Sequence, residues 1–96
     1  MTAFFVASVT VKNPEKMAEY AAAAAKTFTA FGGEPLLKGK RVEDLAGSAD
    51  HQMVAIVKFP DSNSLKGWYQ SDAYQALIPL RDEAADMTLV SHEVPS

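Results

Sequence analysis

Residues 3–14 read A-F-F-V-A-S-V-T-V-K-N-P. The first nine are rich in aromatic and β-branched side chains and predict a strand over Ala3 to Val11. Asn13 then offers an N-cap oxygen, Pro14 suits the first helical position, and Glu15 sits at the positive end of the helix dipole. A strand that runs straight into a capped helix opens a β-α unit. Met17, Tyr20, Ala21, Ala24, Phe28 and Phe31 form the apolar stripe of that helix. The run Ala21 to Ala25 favours helix and lets it approach a sheet closely. Gly32-Gly33 predicts its end.

The rest of the chain continues the alternation. Glu34 to Lys40 reads as a weaker strand, confined by Pro35 to a strand start or sheet edge. Arg41 to Asp50 is a polar connection, and Gln52 to Phe59 (Q-M-V-A-I-V-K-F) a second strong strand. Phe59-Pro60 closes it. Asp61 or Ser62 can cap a short helix carrying Leu65, Trp68 and Tyr69. Ser71-Asp72 caps the next helix, which Pro79 should bend, and Asp86 to Val94 is the last strand. The order β-α-β-β-α-β predicts an α+β, ferredoxin-like domain spanning residues 1–96, an antiparallel four-stranded sheet with helices on one face.

Two strands do not alternate. Phe4 to Ala7 are all apolar, as are Met53 to Val57, and such runs imply strands buried on both faces. The helices can cover only one face. The other would remain an exposed apolar patch, which soluble monomers avoid. A second copy packing sheet against sheet resolves this and predicts a homodimer, a dimeric α/β-barrel. Charges at Val54 and Ile56 are expected to address the two faces of the third strand, one dissociating the dimer and the other unfolding the protein.

Composition narrows the function. Of the 96 residues 48% are hydrophobic and 22% charged, with a formal net charge of −3. An acidic chain opposes nucleic-acid binding, which depends on phosphate neutralisation. An RNA-recognition module shares the strand order, but its stacking aromatics and basic motif are missing from the third strand. With no cysteine, thiolate nucleophiles and thiolate metal sites are excluded. No paired-histidine spacing, P-loop or dinucleotide fingerprint occurs, so neither metal nor cofactor is expected. No apolar run approaches a membrane span and the N-terminus lacks a basic leader. A cytoplasmic protein with no membrane partner is the default.

The chemical candidates lie mainly in one segment. On a helix Tyr74, Leu77, Ile78 and Arg81 share a face. A guanidinium on an apolar stripe either meets a carboxylate, such as Glu43 or Glu93, or lines a cavity that takes an anion or carbonyl. Trp68, Tyr69 and Tyr74 read equally as core packing or as walls of such a pocket. His51 reads as a surface histidine. His92, on the parity of Val90 and Val94, is either a satisfied core or interface residue or an acid–base candidate.

These residues resemble a bacterial family, the domain-of-unknown-function family thirteen-thirty within the dimeric α/β-barrel superfamily. The resemblance covers nearly the whole chain. It rests on Tyr20, Gly32-Gly33 followed by Leu37 and Gly39, Phe59-Pro60, the cluster Trp68-Tyr69-x-Ser71-x-x-Tyr74-Gln75, and Arg81. The chain departs from the pattern at Lys38-Gly39-Lys40 (where the family has arginine-glycine-glycine), at Leu45-Ala46-Gly47 (leucine-glutamate-glycine) and at Asp61 (serine). The resemblance implies fold and dimerisation. Superfamily relatives include cofactor-free monooxygenases, muconolactone isomerase-like enzymes and stress-response proteins, and carrying any of those activities over is fold-level analogy.

The expectation is a metal-free, cofactor-free, small-molecule-binding homodimer for a small carbonyl or carboxylate compound, with turnover left open. Trp68 and Tyr74 wall the pocket, Arg81 anchors the ligand, and Tyr20 or His92 is the nearest proton-transfer group. The alternative is a non-catalytic structural dimer with Arg81 in an internal salt bridge.

Overall fold

A computed structural model describes residues 2–95; Met1 and Ser96, the ends of the 1–96 span, lie outside it. Four strands, β1 (Ala3–Val11), β2 (Glu34–Lys40), β3 (Met53–Phe59) and β4 (Ala85–Glu93), form an antiparallel sheet in the order β2-β3-β1-β4. The helices are α1 (Pro14–Thr29), α2 (Ser62–Gln70), α3 (Asp72–Gln75) and α4 (Ile78–Ala84). The arrangement is ferredoxin-like, with one helical layer on one sheet face. Its Cα extents, 33 × 32 × 16 Å, are those of a slab. Pro35 lies in the edge strand β2, where its missing N–H costs no inner ladder bond.

Side chains sort by parity along each strand. Ala3, Phe5, Ala7 and Val9 of β1 face the helices with Val57 and Phe59 of β3 and Ala85 of β4, and all are buried. Onto them α1 lays Tyr20, Ala24 and Phe28, and α2 adds Leu65 and Trp68. The opposite parity forms the open face. There Val6 stands between Ile56 and Val90, and Phe4 between Lys58 and His92. Val54 and Ile56 are two residues apart and share this open face, so they do not probe both sides of β3; Val57 is the helix-side residue.

The caps form as read. Asn13 Oδ1 accepts from the Lys16 N–H at 3.1 Å, and Asp61 Oδ1 from the Ser64 N–H at 2.7 Å. Ser71 caps α3 by accepting from the Tyr74 N–H. The segment read as one helix bent at Pro79 is instead broken, with α3 ending at Gln75 and α4 restarting at Ile78 with Pro79 in its first turn. The last strand begins one residue earlier than read, at Ala85.

After α1, the Gly33 N–H donates to the Phe28 carbonyl at 2.8 Å, and Gly32 takes φ of +81°. A Cβ on Gly32 would lie 2.9 Å from Pro60 Cγ. Gly32→Ala is therefore expected to lower stability by about 1–2 kcal/mol from the left-handed backbone alone, measured by urea unfolding. Unchanged stability would show that this turn relaxes freely.

Candidate functional site

Trp68 is the hub of the helix–sheet interior. It is 2% exposed, stacks on Phe5 at 5.0 Å between centroids, and lies 5.5 Å from Phe59 and 4.4 Å from Tyr74. Its indole N–H donates to Thr27 Oγ1 at 2.9 Å, and that hydroxyl donates to the Ala24 carbonyl. The polar atom of a buried tryptophan thus has its acceptor on α1.

The second feature gathers around Arg81. Its Nη1 donates to Tyr74 Oη at 3.2 Å and Tyr69 Oη at 3.3 Å. Tyr74 Oη lies 2.8 Å from Tyr20 Oη. Tyr69 and Tyr74 thus bond the guanidinium directly and Tyr20 joins through Tyr74, so α1, α2, α3 and α4 each contribute one residue to the cluster. Burial alone would lower the Arg81 pKa. The bonds to Tyr69 and Tyr74 outweigh it and raise it, so the cation persists at all ordinary pH. Tyr20 is raised far above the usual phenol range, first by burial and then by its bond to Tyr74, so it acts as a neutral hydroxyl.

The break between α3 and α4 explains how these groups meet. Ser71 and Leu77 start two short helices, which sets Tyr74 and Arg81 on separate helices. Arg81 does not pair with Glu43 or Glu93 as the salt-bridge alternative requires. Its carboxylate contact is the adjacent, exposed Asp82 at 3.4 Å, and Glu93 instead accepts from Ser62. A surface contact of this kind contributes little. Tyr69 completes the cluster although it lies 12 residues before Arg81, a separation that on one continuous helix would put the two about 18 Å apart.

Two concavities adjoin the cluster. One of about 170 Å³ lies between α1 and the sheet, walled by Tyr20, Ala24, Ala55, Val57, Trp68 and Leu89 among others. The second, about 370 Å³, is lined by Leu65, Lys66, Tyr69 and Ser91 and shares Phe5, Trp68 and Leu89 with the first. Trp68 walls both. Tyr74, with no exposed surface, and Arg81, with its side chain 16% exposed, line neither and stand behind Tyr20 and Tyr69.

The histidines lie elsewhere. His92 stacks on Phe4 at 5.1 Å on the open sheet face, away from the helix-side cluster, so Tyr20 and His92 do not share a site. His51 bridges Thr10 Oγ1 at 3.0 Å and Thr88 Oγ1 at 3.2 Å, tying the β2–β3 connection over the polar end of the same face. Among the described residues no three His, Asp or Glu side chains converge as a metal site would need, and no helix is long and apolar enough to cross a membrane.

Solved structures share this architecture. A protein of unknown function from Rhodopseudomonas palustris superposes with TM-score 0.80 at 18% identity, covering 99% of this chain and 83% of that one. A dimeric ferredoxin-like protein of unknown function from Jannaschia sp. CCS1 gives TM-score 0.76 at 12% identity, over 98% and 100% of the two chains. SnoaB, a cofactor-independent oxygenase from Streptomyces nogalater, gives 0.71 at 14% identity, over 99% and 94%. At these identities the likeness is one of fold. A comparison with curated protein sequences yields no match. The family model described as "Domain of unknown function (DUF1330)" matches residues 2–94, and the chain belongs to that family.

Proposed function

We propose that the protein is a homodimer that binds one small, largely apolar molecule per subunit between the helices and the sheet. The observation that carries this reading is the cavity of about 170 Å³ behind α1, walled by apolar side chains and by Tyr20 and Trp68. An apolar cavity of about 150 Å³ is large enough to take benzene. The small side chains of Ala21, Ala24, Ala25 and Ala55 leave that space where larger ones would fill it. Tyr20, the member of the Arg81–tyrosine cluster on the cavity wall, supplies the polar edge such sites need, and an oxygen-bearing carbonyl or carboxylate compound is the chemistry it suits. The same fold in a cofactor-independent oxygenase supports turnover without a cofactor, by analogy of fold alone. Dimerisation is supported by the apolar open face and by the dimeric neighbour.

Methyl NMR tests the cavity. Titration with one-ring aromatic compounds is expected to shift the methyl signals of Ala24, Ala55 and Met87 in saturable fashion. Shifts confined to open-face residues such as Val54 and Val90, or none at all, would replace this reading with that of a structural dimer.

A further inference from the structure

Arginine can only donate hydrogen bonds, and that gives the cluster a direction. Arg81 Nη1 carries two hydrogens and spends one on Tyr74 Oη and one on Tyr69 Oη. The Tyr74 hydroxyl, sealed from solvent, then accepts from Arg81 and has one proton of its own. Leaving that proton unpaired in the interior would be costly. The acceptor in reach is Tyr20 Oη at 2.8 Å. Tyr20 therefore accepts from Tyr74, and its own proton is left over. Among the described residues the Tyr20 hydroxyl meets only that of Tyr74, and Tyr20 is a wall of the cavity behind α1.

From this chain, Arg81 to Tyr74 to Tyr20, we infer that the cavity selects a neutral, one-ring-sized molecule whose carbonyl oxygen accepts the Tyr20 proton, with Arg81 and Tyr74 as positioning residues. The inference rests on the cavity reading above and narrows it. Arg81 does not reach the cavity, and the cation that borders it, Lys38, lies on the exposed edge strand. An ionised carboxylate would thus enter without a buried counter-charge, which is unfavourable. A carbonyl needs only one donor. The raised Tyr20 pKa fits a hydroxyl that donates and does not act as a base.

Three probes of similar shape separate the possibilities: acetophenone, α-methylstyrene (a methylene in place of the oxygen) and benzoate. Wild-type protein is expected to bind acetophenone roughly fivefold to tenfold more tightly than α-methylstyrene, the size of one net hydrogen bond, and benzoate most weakly. The carbonyl stretch of bound acetophenone should fall below its value in cyclohexane. Tyr20→Phe should erase the preference and the infrared shift while keeping α-methylstyrene affinity. Arg81→Met should reduce both, and Arg81→Lys, which keeps a donor, should restore part of them. Equal binding of acetophenone and α-methylstyrene with no infrared shift overturns the inference and leaves the cavity reading standing, as does tightest binding of benzoate. If no probe binds, the cavity reading fails and takes the inference with it. Should Tyr20→Phe not fold, the wild-type infrared shift decides.

Discussion

Trp68→Ala is expected to destabilise the protein by about 3–5 kcal/mol, the upper range for removing a buried aromatic. Five rings surround Trp68: Phe5, Phe59 and Tyr74 lie within 5.5 Å between centroids, and Tyr69 and Phe28 stand edge-on at 5.9 and 6.3 Å. Truncation would join the two adjoining concavities into one void and leave Thr27 Oγ1 without its indole donor. For a chain this short the loss is on the order of 20 °C in Tm, and it approaches the whole stability of a small domain. Trp68→Phe keeps most of the volume and should cost far less. Thermal unfolding followed by far-ultraviolet circular dichroism reads both, since Trp68 is the only tryptophan and its fluorescence disappears with it. Equal melting temperatures for wild type and Trp68→Ala would remove Trp68 from the centre of the core.

Local chemistry was legible in the residues. Asn13, Asp61 and Ser71 cap helices because their side chains meet a backbone N–H three residues on, a distance that spacing alone specifies. The two-sided apolar runs of β1 and β3 likewise announce an open face that parity confirms. What spacing cannot supply is which side of a strand the helices cover. His92 shares the parity of Val90, and only the pairing of Phe4 with His92 and of Phe5 with Ser91 shows that this parity faces away from them. Arg81 illustrates the same limit. A helical wheel places it with Tyr74, but its second phenol, Tyr69, lies across a break in the helix, and Tyr20 arrives from α1, 54 residues before Tyr74. Neither Glu43 nor Glu93 is needed as an acceptor within the subunit, because two tyrosine hydroxyls, those of Tyr69 and Tyr74, accept from the guanidinium.

Ile56→Glu is expected to convert the proposed dimer into a folded monomer, while Val57→Glu should unfold the chain. The two residues are adjacent, yet Val57 is 4% exposed beneath the helices and Ile56 stands on the open face beside Val6. Around Ile56 lie Phe4, Val54 and Val90, the last 45% exposed, and the connection bordering this face carries Val42 and Leu45 at 93% and 90%. Exposed aliphatic groups at this density mark a surface that another protein surface covers. In a two-fold interface each substitution occurs twice. An unpaired carboxylate buried between sheets costs about 3 kcal/mol or more per copy. Two copies therefore amount to about 6 kcal/mol, a roughly ten-thousandfold rise in Kd. Val54→Glu should act in the same direction, since it shares the face. Sedimentation velocity at micromolar concentration, paired with circular dichroism, distinguishes the outcomes. A wild-type protein that sediments as a monomer, or an Ile56→Glu variant that remains dimeric, would show that the open face is not where copies meet.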